Sequence, residues 1–380
     1  MLKLRTSRIP QMLFLFFFVG SLSMSSLFHN ESIYRPILQI VLLTFFALIV
    51  AHSGRRAILF ILGIAPFFVF FAAINKSDTM IHAFMLTAIW VCLILNRRSN
   101  ELWGNMNYIW AGSFFALISI MALTALGVTE NQIFVVSTSG VVKHSLGFFN
   151  PNAAGLLSCG ALVAALLARA RAKVFLSALV FAYVTYYSAS RTPVVILFVF
   201  MLGNAIYYFT PKNVLRIYCS SLYLASAMVI AAIAVLAWVP PSFNDPYLYA
   251  LDEALSKRLS VSLPRISDAY ILLPGVGGKS MEFAWGNLIM NFGLIVAFAM
   301  SAAGMITSYR VERDLLGIFF VGSLVYFASL FVENIAYSYL AIGLAAFLPT
   351  ALIIYYFFTD FFVRPNLSGL CTRSPSPLSQ

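Results

Sequence analysis

Long apolar runs alternate along this chain with short polar breaks, and each run approaches the length that carries an α-helix through the hydrocarbon core of a bilayer. Twelve runs predict twelve spans, the first six over 11–28, 36–52, 57–74, 79–95, 106–127 and 151–168. The remaining six cover 174–189, 193–210, 215–239, 285–307, 314–332 and 335–358. The pattern predicts an all-α polytopic membrane protein, a single integral domain over 1–364 followed by a Ser/Pro-rich tail, 365–380, expected to be disordered. The first run has the basic flank of a signal peptide, but no small-x-small cleavage site precedes Glu31, so it reads as a span.

Two breaks carry the same helix-start signal. In Lys143-His144-Ser145-Leu146-Gly147-Phe148-Phe149-Asn150-Pro151-Asn152, Asn150 can cap free backbone N–H groups and Pro151 suits the first helical turn. In Ser188-Ala189-Ser190-Arg191-Thr192-Pro193, Thr192 can cap and Pro193 can open the next helix. Both starts are expected on one side of the membrane, facing one polar pocket. The longest break, 240–284, has a helical pattern of its own: Asn244 or Asp245 can cap a helix opened by Pro246, and Leu248, Leu251, Leu255 and Leu259 form one apolar stripe. Asp252, Glu253, Ser256 and Lys257 fall off that stripe, so a helix over 246–259 would lie along the membrane surface. A second short helix is expected to open at Pro264 and close at Pro274-Gly275-Val276-Gly277, with Arg265 and Asp268 on one face.

Composition agrees with burial in lipid: 61% of residues are hydrophobic, 10% are charged and 36 are Phe. A net charge of +11 would suggest nucleic acid in a soluble domain, but here the basic residues sit in short loops between spans, so topology accounts for them and no nucleic acid is expected. With the N-terminus inside, every cytoplasmic loop holds at least two basic residues and no short outer loop holds more than one. Only Arg35, Lys76, Lys143, Arg191, Lys257, Arg258, Arg265 and Lys279 fall outside. Both termini are therefore expected in the cytoplasm, with the two helix-start breaks and the 240–284 loop outside. The four cysteines, three in spans and Cys371 in the tail, suggest no disulfide framework.

Soluble-enzyme motifs, metal-ligand spacings and phosphate-cradling glycine loops are absent from the sequence, so no metal or cofactor is expected. Arg191 is the sharpest chemical signal, a basic residue in a tight outer turn beside a helix N-terminus. A guanidinium there can pair two oxygens of a phosphate or diphosphate. The same residue also fits an interfacial Arg snorkelling to headgroups. Arg265 is the second candidate, though solvated loop arginines are common. His144 has a pKa suited to proton transfer but also reads as a hydrogen-bonding loop residue. Asn150 and Asn152 are capping residues first, with sugar hydroxyls as a second use. Asp268, Glu282 and Glu333 are outer carboxylates able to accept a proton from a hydroxyl. Tyr183, Tyr186 and Tyr187 fit an aromatic belt before a sugar platform.

At these residues the chain resembles the O-antigen polymerase and O-antigen ligase family of bacterial envelope glycan assembly. Gly147-Phe148-Phe149-Asn150-Pro151-Asn152-Ala153-Ala154-Gly155 is similar to that family's Gly-Phe-x-x-Pro-Asn-x-x-Gly segment, and Ser190-Arg191-Thr192 to its Ser-Arg-Thr turn. Arg265 followed by Pro274-Gly275-Val276-Gly277 resembles the family's long-loop Arg and later Pro-x-x-Gly-x-Gly turn. Asn287 through Ile295 resembles the segment that opens the next span. The likeness covers roughly 140–300, in order. One departure is that the ligases place a His just before that Asn, where this chain has Gly286, which tilts the reading toward a polymerase.

The resemblance implies a metal-independent glycosyltransferase at the outer face of the bacterial inner (plasma) membrane. It would transfer a glycan from undecaprenyl diphosphate to a lipid-linked repeat unit. The alternative is the ligase, moving finished glycan to a lipid A core or protein; a lipid-linked sugar flippase or other transporter is the rival from a different class. Arg191 and Arg265 would meet charge on the leaving diphosphate, with His144, Asp268 or Glu282 orienting or deprotonating the acceptor. Lys143, Asn150, Asn152, Ser190, Thr192, Lys279 and Asn287 would complete the substrate contacts. Partners would be undecaprenyl-diphosphate-linked oligosaccharide and membrane lipids, with a chain-length regulator and a flippase alongside.

Overall fold

The computed structural model describes residues 8–30, 34–75, 79–95, 101–135, 140–239, 245–254, 258–267, 284–332 and 347–357. In the first part of the chain, α1 (Ile9–Leu22), α2 (Ser26–Asn30), α3 (Tyr34–His52), α4 (Arg55–Asn75), α5 (Thr79–Leu95) and α6 (Glu101–Ala125) are followed by a hairpin of β1 (Ile133–Val135) and β2 (Val142–His144). Next come α7 (Pro151–Leu167), α8 (Arg171–Ser188), α9 (Thr192–Phe209) and α10 (Lys212–Trp238). The chain continues through α11 (Pro246–Ala254), α12 (Arg258–Ser267), α13 (Ala284–Arg310), α14 (Leu316–Val332) and α15 (Phe347–Phe357). Glu333, Lys279, Asp268 and Glu282 lie outside the described residues.

Among the described residues five helices, α4, α6, α9, α10 and the Phe292–Arg310 part of α13, are each long and apolar enough to cross a bilayer. Shorter apolar helices fill most of the other predicted intervals. Large apolar side chains point outward from the bundle: Phe175 is 67% exposed, Phe198 66% and Met228 65%. Water would penalise such a surface, whereas hydrocarbon accepts it. The molecule is thus an all-α membrane protein.

Helix α7 is the packed axis. It is built largely of Ala, Gly, Leu and Ser, and from Pro151 to Ala165 every residue but Asn152 is buried. Small residues let helix backbones approach closely where lipid supplies no hydrophobic drive between them. Gly155 illustrates this, because a Cβ there would stand 2.6 Å from Cγ of Pro193 on α9. Gly112 of α6 does the same for α1, with the Phe14 carbonyl oxygen 2.5 Å from where a Cβ would be.

The helix ends gather into two groups. One joins the chain after α1, the end of α6 and the starts of α7 and α9: Ser26 N donates to Gly147 O at 2.8 Å, and the Thr124 hydroxyl to Leu146 O at 3.2 Å. The other joins the start of α6 to the turn between α7 and α8, where Lys173 donates to Asn107 Oδ1 at 2.6 Å and the Arg169 guanidinium lies over the Trp103 ring. Arg216, near the start of α10, donates to the Tyr309 and Val311 carbonyls at the end of α13, at 2.6 and 3.1 Å.

Several sequence expectations need correction. The first span ends at Leu22, not at 28, because the chain turns at Ser23–Ser25 and starts a separate helix. The polar break before Asn150 contains strands, with Ile133 opposite His144 and Phe134 opposite Lys143. The surface helix does not run through 246–259. Asp245 caps α11 by accepting from Tyr247 N and Leu248 N, and α11 ends at Ala254. Asp252, read as a solvent-side residue, is 6% exposed and accepts from Leu259 N and Ser260 N at 2.9 and 3.1 Å. It thereby caps α12 across the gap, and α12 starts at Arg258 with Pro264 inside it rather than at its start. Leu259, Leu263 and Ile266 form the buried stripe of α12, against α10 and α13. Helix α13 is kinked at Gly293 (φ 75°, ψ 161°), a conformation open essentially to Gly alone.

Candidate functional site

The two helix starts singled out in the sequence are neighbours in space. Their approach begins in the hairpin turn, where Leu146 (φ 53°) and Gly147 (φ 85°) are both left-handed. Gly147 also has no room for a side chain, since a Cβ would collide with the Thr124 hydroxyl. Asn131 Oδ1 holds Leu146 N at 2.9 Å, and the Ser145 hydroxyl accepts from Gln132 N at 2.8 Å, which closes the hairpin onto the turn. The chain then buries Phe148 completely and enters α7. Asn150 is extended (φ −155°), and its Oδ1 accepts from Ala153 N at 2.8 Å, as the capping expectation requires.

The second start is made differently. Helix α8 ends with Ala189 in the left-handed region (φ 45°, ψ 33°), which reverses the chain. Ser190 is buried, and its hydroxyl donates to Asn152 Oδ1 at 2.8 Å, tying one start to the other across 38 residues. Below this bond Pro193 packs on Gly155, and the Cys159 thiol donates to the Pro193 carbonyl at 3.5 Å. Thr192 does not cap: it is the first residue of α9 and is buried, while Arg191 takes the N-cap position without a side-chain cap bond. The first turn of α9 therefore keeps backbone N–H groups unsatisfied by any capping side chain, and positive partial charge collects there. The exposed Arg191 guanidinium stands at that end with no hydrogen-bond or ion-pair partner among the described residues.

His144 and Lys143 flank this place on β2, which packs against α8. The His144 ring meets Tyr187 edge-on, centroids 6.1 Å apart, and its Nδ1 lies 3.3 Å from Asn131 Nδ2. Tyr187 in turn contacts Tyr183 at 4.7 Å and Tyr186 at 5.2 Å, so three tyrosines continue from His144 along α8. The i, i+3, i+4 spacing of these tyrosines is visible in the sequence; the pairing of His144 with Asn131 and Tyr187 is not, because the hairpin register creates it. The Ser188 hydroxyl, buried between these groups and Ser190 in the chain, has no hydrogen-bond partner among the described residues.

Thus Lys143, His144, Asn150, Asn152, Ser190, Arg191 and Thr192 belong to one end of the bundle. Arg265 lies on α12 and Asn287 near the start of α13, away in sequence from that cluster; their side chains are outside the described set. Among the described residues no group of three His, Cys, Asp or Glu side chains could hold a metal ion. Chemically, the cluster offers a cation, a helix N-terminus and amide and hydroxyl groups, which together suit an anionic, hydroxyl-rich ligand.

The class defined by these features is a polytopic α-helical membrane protein with a polar, cationic patch at one end of its helices. No family model, no curated protein and no solved structure matches the chain.

Proposed function

We propose that the chain is a polysaccharide polymerase of the bacterial inner membrane, which moves a growing glycan from undecaprenyl diphosphate onto a lipid-linked repeat unit outside the cytosol. The observation that carries this reading is the pairing of the Asn150–Gly155 and Ser190–Pro193 helix starts through Ser190 and Asn152, with Arg191 exposed beside them. Those are two of the segments that carry the resemblance to the O-antigen polymerase and ligase family, and a side-chain hydrogen bond ties them together beyond what the α7–α8–α9 topology alone requires.

In the proposed reaction an acceptor hydroxyl attacks the anomeric carbon of the donor glycan, the glycosidic C–O bond forms and the bond to the diphosphate breaks. The hydroxyl proton passes to a nearby base, for which His144 is the described candidate and Asp268 and Glu282 are alternatives. Arg191 and the first N–H groups of α9 receive the negative charge on the departing diphosphate, and Arg265 adds a second cation. Asn150, Asn152, Ser190, Thr192, Lys143, Lys279 and Asn287 orient headgroup and sugar. In this reading the twelve spans place both termini in the cytoplasm, and the Arg191 end of the bundle outside.

The deciding experiment uses purified protein with lipid-linked repeat units in detergent. Lengthening of the repeats without any gradient supports the polymerase, whereas transfer of finished polymer only to a lipid A core or protein acceptor identifies the ligase. Transport is favoured by one feature, the break at Gly293, since interrupted helices often line substrate paths in transporters. Movement of lipid-linked sugar across proteoliposomes without chain growth would replace the polymerase reading with that one.

A further inference from the structure

A cavity of about 140 Å³ lies at the other end of the bundle, far along α7 and α9 from Arg191. Its mouth is formed by Arg169, Trp103, Asn204, Tyr207 and Asp314, and its inner wall by Phe200, Val321, Val325 and Leu348. From Tyr207 to Phe200 is two turns of α9, so the slot runs roughly 10 Å along the helices. It is therefore polar at one end and apolar along its depth. A volume of this size accepts a group comparable with benzene, such as a phosphoryl head or the first methylenes of a chain.

The mouth is built, not incidental. Helix α7 closes in a two-bond left-handed turn, Arg169 N to Leu166 O at 3.0 Å and Ala170 N to Ala165 O at 3.5 Å. The left-handed residue of that turn is Arg169 (φ 55°), where Gly would be the unstrained choice. Its guanidinium lies over the Trp103 ring, 5.3 Å from the centroid, and has no hydrogen-bond acceptor among the described residues. The Tyr207 ring packs on Gly317, where a Cβ would come within 2.5 Å of it, while the Tyr207 hydroxyl has no hydrogen-bond partner among the described residues. Asn204, which also lines the cavity, is fixed by its Nδ2 donating to Phe200 O at 2.8 Å.

We propose that this cavity is a phospholipid site: a headgroup phosphate pairs with Arg169 and Tyr207 at the mouth, and the first methylenes of one acyl chain enter along the apolar wall toward Phe200. The bilayer around an all-α membrane protein supplies that molecule, and the lining runs from a polar mouth, where Arg169 and Asp314 carry one charge of each sign, to an apolar depth. The site is independent of the glycan chemistry proposed for the opposite end.

The test is retention of phospholipid by the full-length protein in detergent, counted by native mass spectrometry. Wild type is expected to keep a bound phospholipid that resists detergent exchange. Arg169→Gly suits the left-handed backbone, so it preserves the fold, yet retention should fall about tenfold with loss of a charged hydrogen bond. Tyr207→Phe, which keeps the ring on Gly317, should weaken retention severalfold, and Val321→Phe should exclude the chain. Arg171→Ala, a neighbouring cation outside the lining, should retain lipid as wild type does. Unchanged retention in both Arg169→Gly and Val321→Phe would overturn the proposal. So would delipidated protein that binds inorganic phosphate through Arg169 but takes up no phospholipid, because the site would then serve a free anion.

Discussion

Arg191 carries the functional argument at the scale of single residues. It is exposed, stands at a helix N-terminus and has no partner to neutralise it among the described residues. Arg191→Ala is therefore expected to abolish polymer, and Arg191→Lys to do nearly the same, because an ammonium cannot hold two diphosphate oxygens in one plane. Glycan profiles of a deletion strain carrying each variant, at equal membrane expression, give the measurement. Near-normal polymer from Arg191→Ala removes the assigned role. Gly147 makes a contrasting prediction about stability. A side chain there meets the Thr124 hydroxyl and must adopt φ 85°, so Gly147→Ala should destabilise the protein by more than about 1–2 kcal/mol, seen as a lower unfolding temperature in detergent. Asn150→Ala loses only a cap bond and should cost about 1 kcal/mol.

At the scale of elements, what the sequence reveals depends on how local the determining contact is. Apolar runs mark helices because lipid burial acts on the whole run, and Asn150 and Asp245 act as caps because a cap reads only the next three residues. The 246–267 region was misphased for the opposite reason. Leucine spacing runs smoothly from Leu248 to Leu259, yet the buried carboxylate of Asp252 captures the N–H groups of Leu259 and Ser260 and starts a new helix there. Nothing in the periodicity announces a side chain that caps a helix seven residues ahead. The hairpin was invisible because its three-residue strands carry no alternation, and Asn131, Gln132 and Ser145 fix it by side-chain bonds. Asp252→Ala should accordingly remove the acceptor of one buried and one half-buried N–H group, costing roughly 1–3 kcal/mol locally. Proteolysis of the 240–284 loop should quicken while the spans stay protected, and a rate equal to wild type would show that the carboxylate does not hold α12.

For the whole molecule, the two groups of helix ends were legible from charge, and the pairing of the starts at 150 and 191 was legible from their common Asn/Thr-Pro character even though Thr192 proved not to cap. The cavity beside Arg169 was not, because six helices contribute to it and its residues are scattered from Trp90 to Leu348. Charge also predicts which end meets the cytosol. The α7–α8 turn holds Arg169, Arg171 and Lys173, while the α8–α9 turn holds Arg191 alone, so the Arg169 end should face inward. Cysteine labelling in intact cells tests this cleanly, since Cys92, Cys159 and Cys219 are buried and Cys371 can be replaced by Ser. In that background a Cys in place of Arg191 should react with a membrane-impermeant maleimide in intact cells with a permeabilised outer barrier. A Cys in place of Arg171 should react only after the inner membrane is opened. The reverse pattern would put the Arg191 end in the cytosol, where a diphosphate-linked glycan awaiting polymerisation outside could not reach it, and the polymerase reading would fall with the orientation.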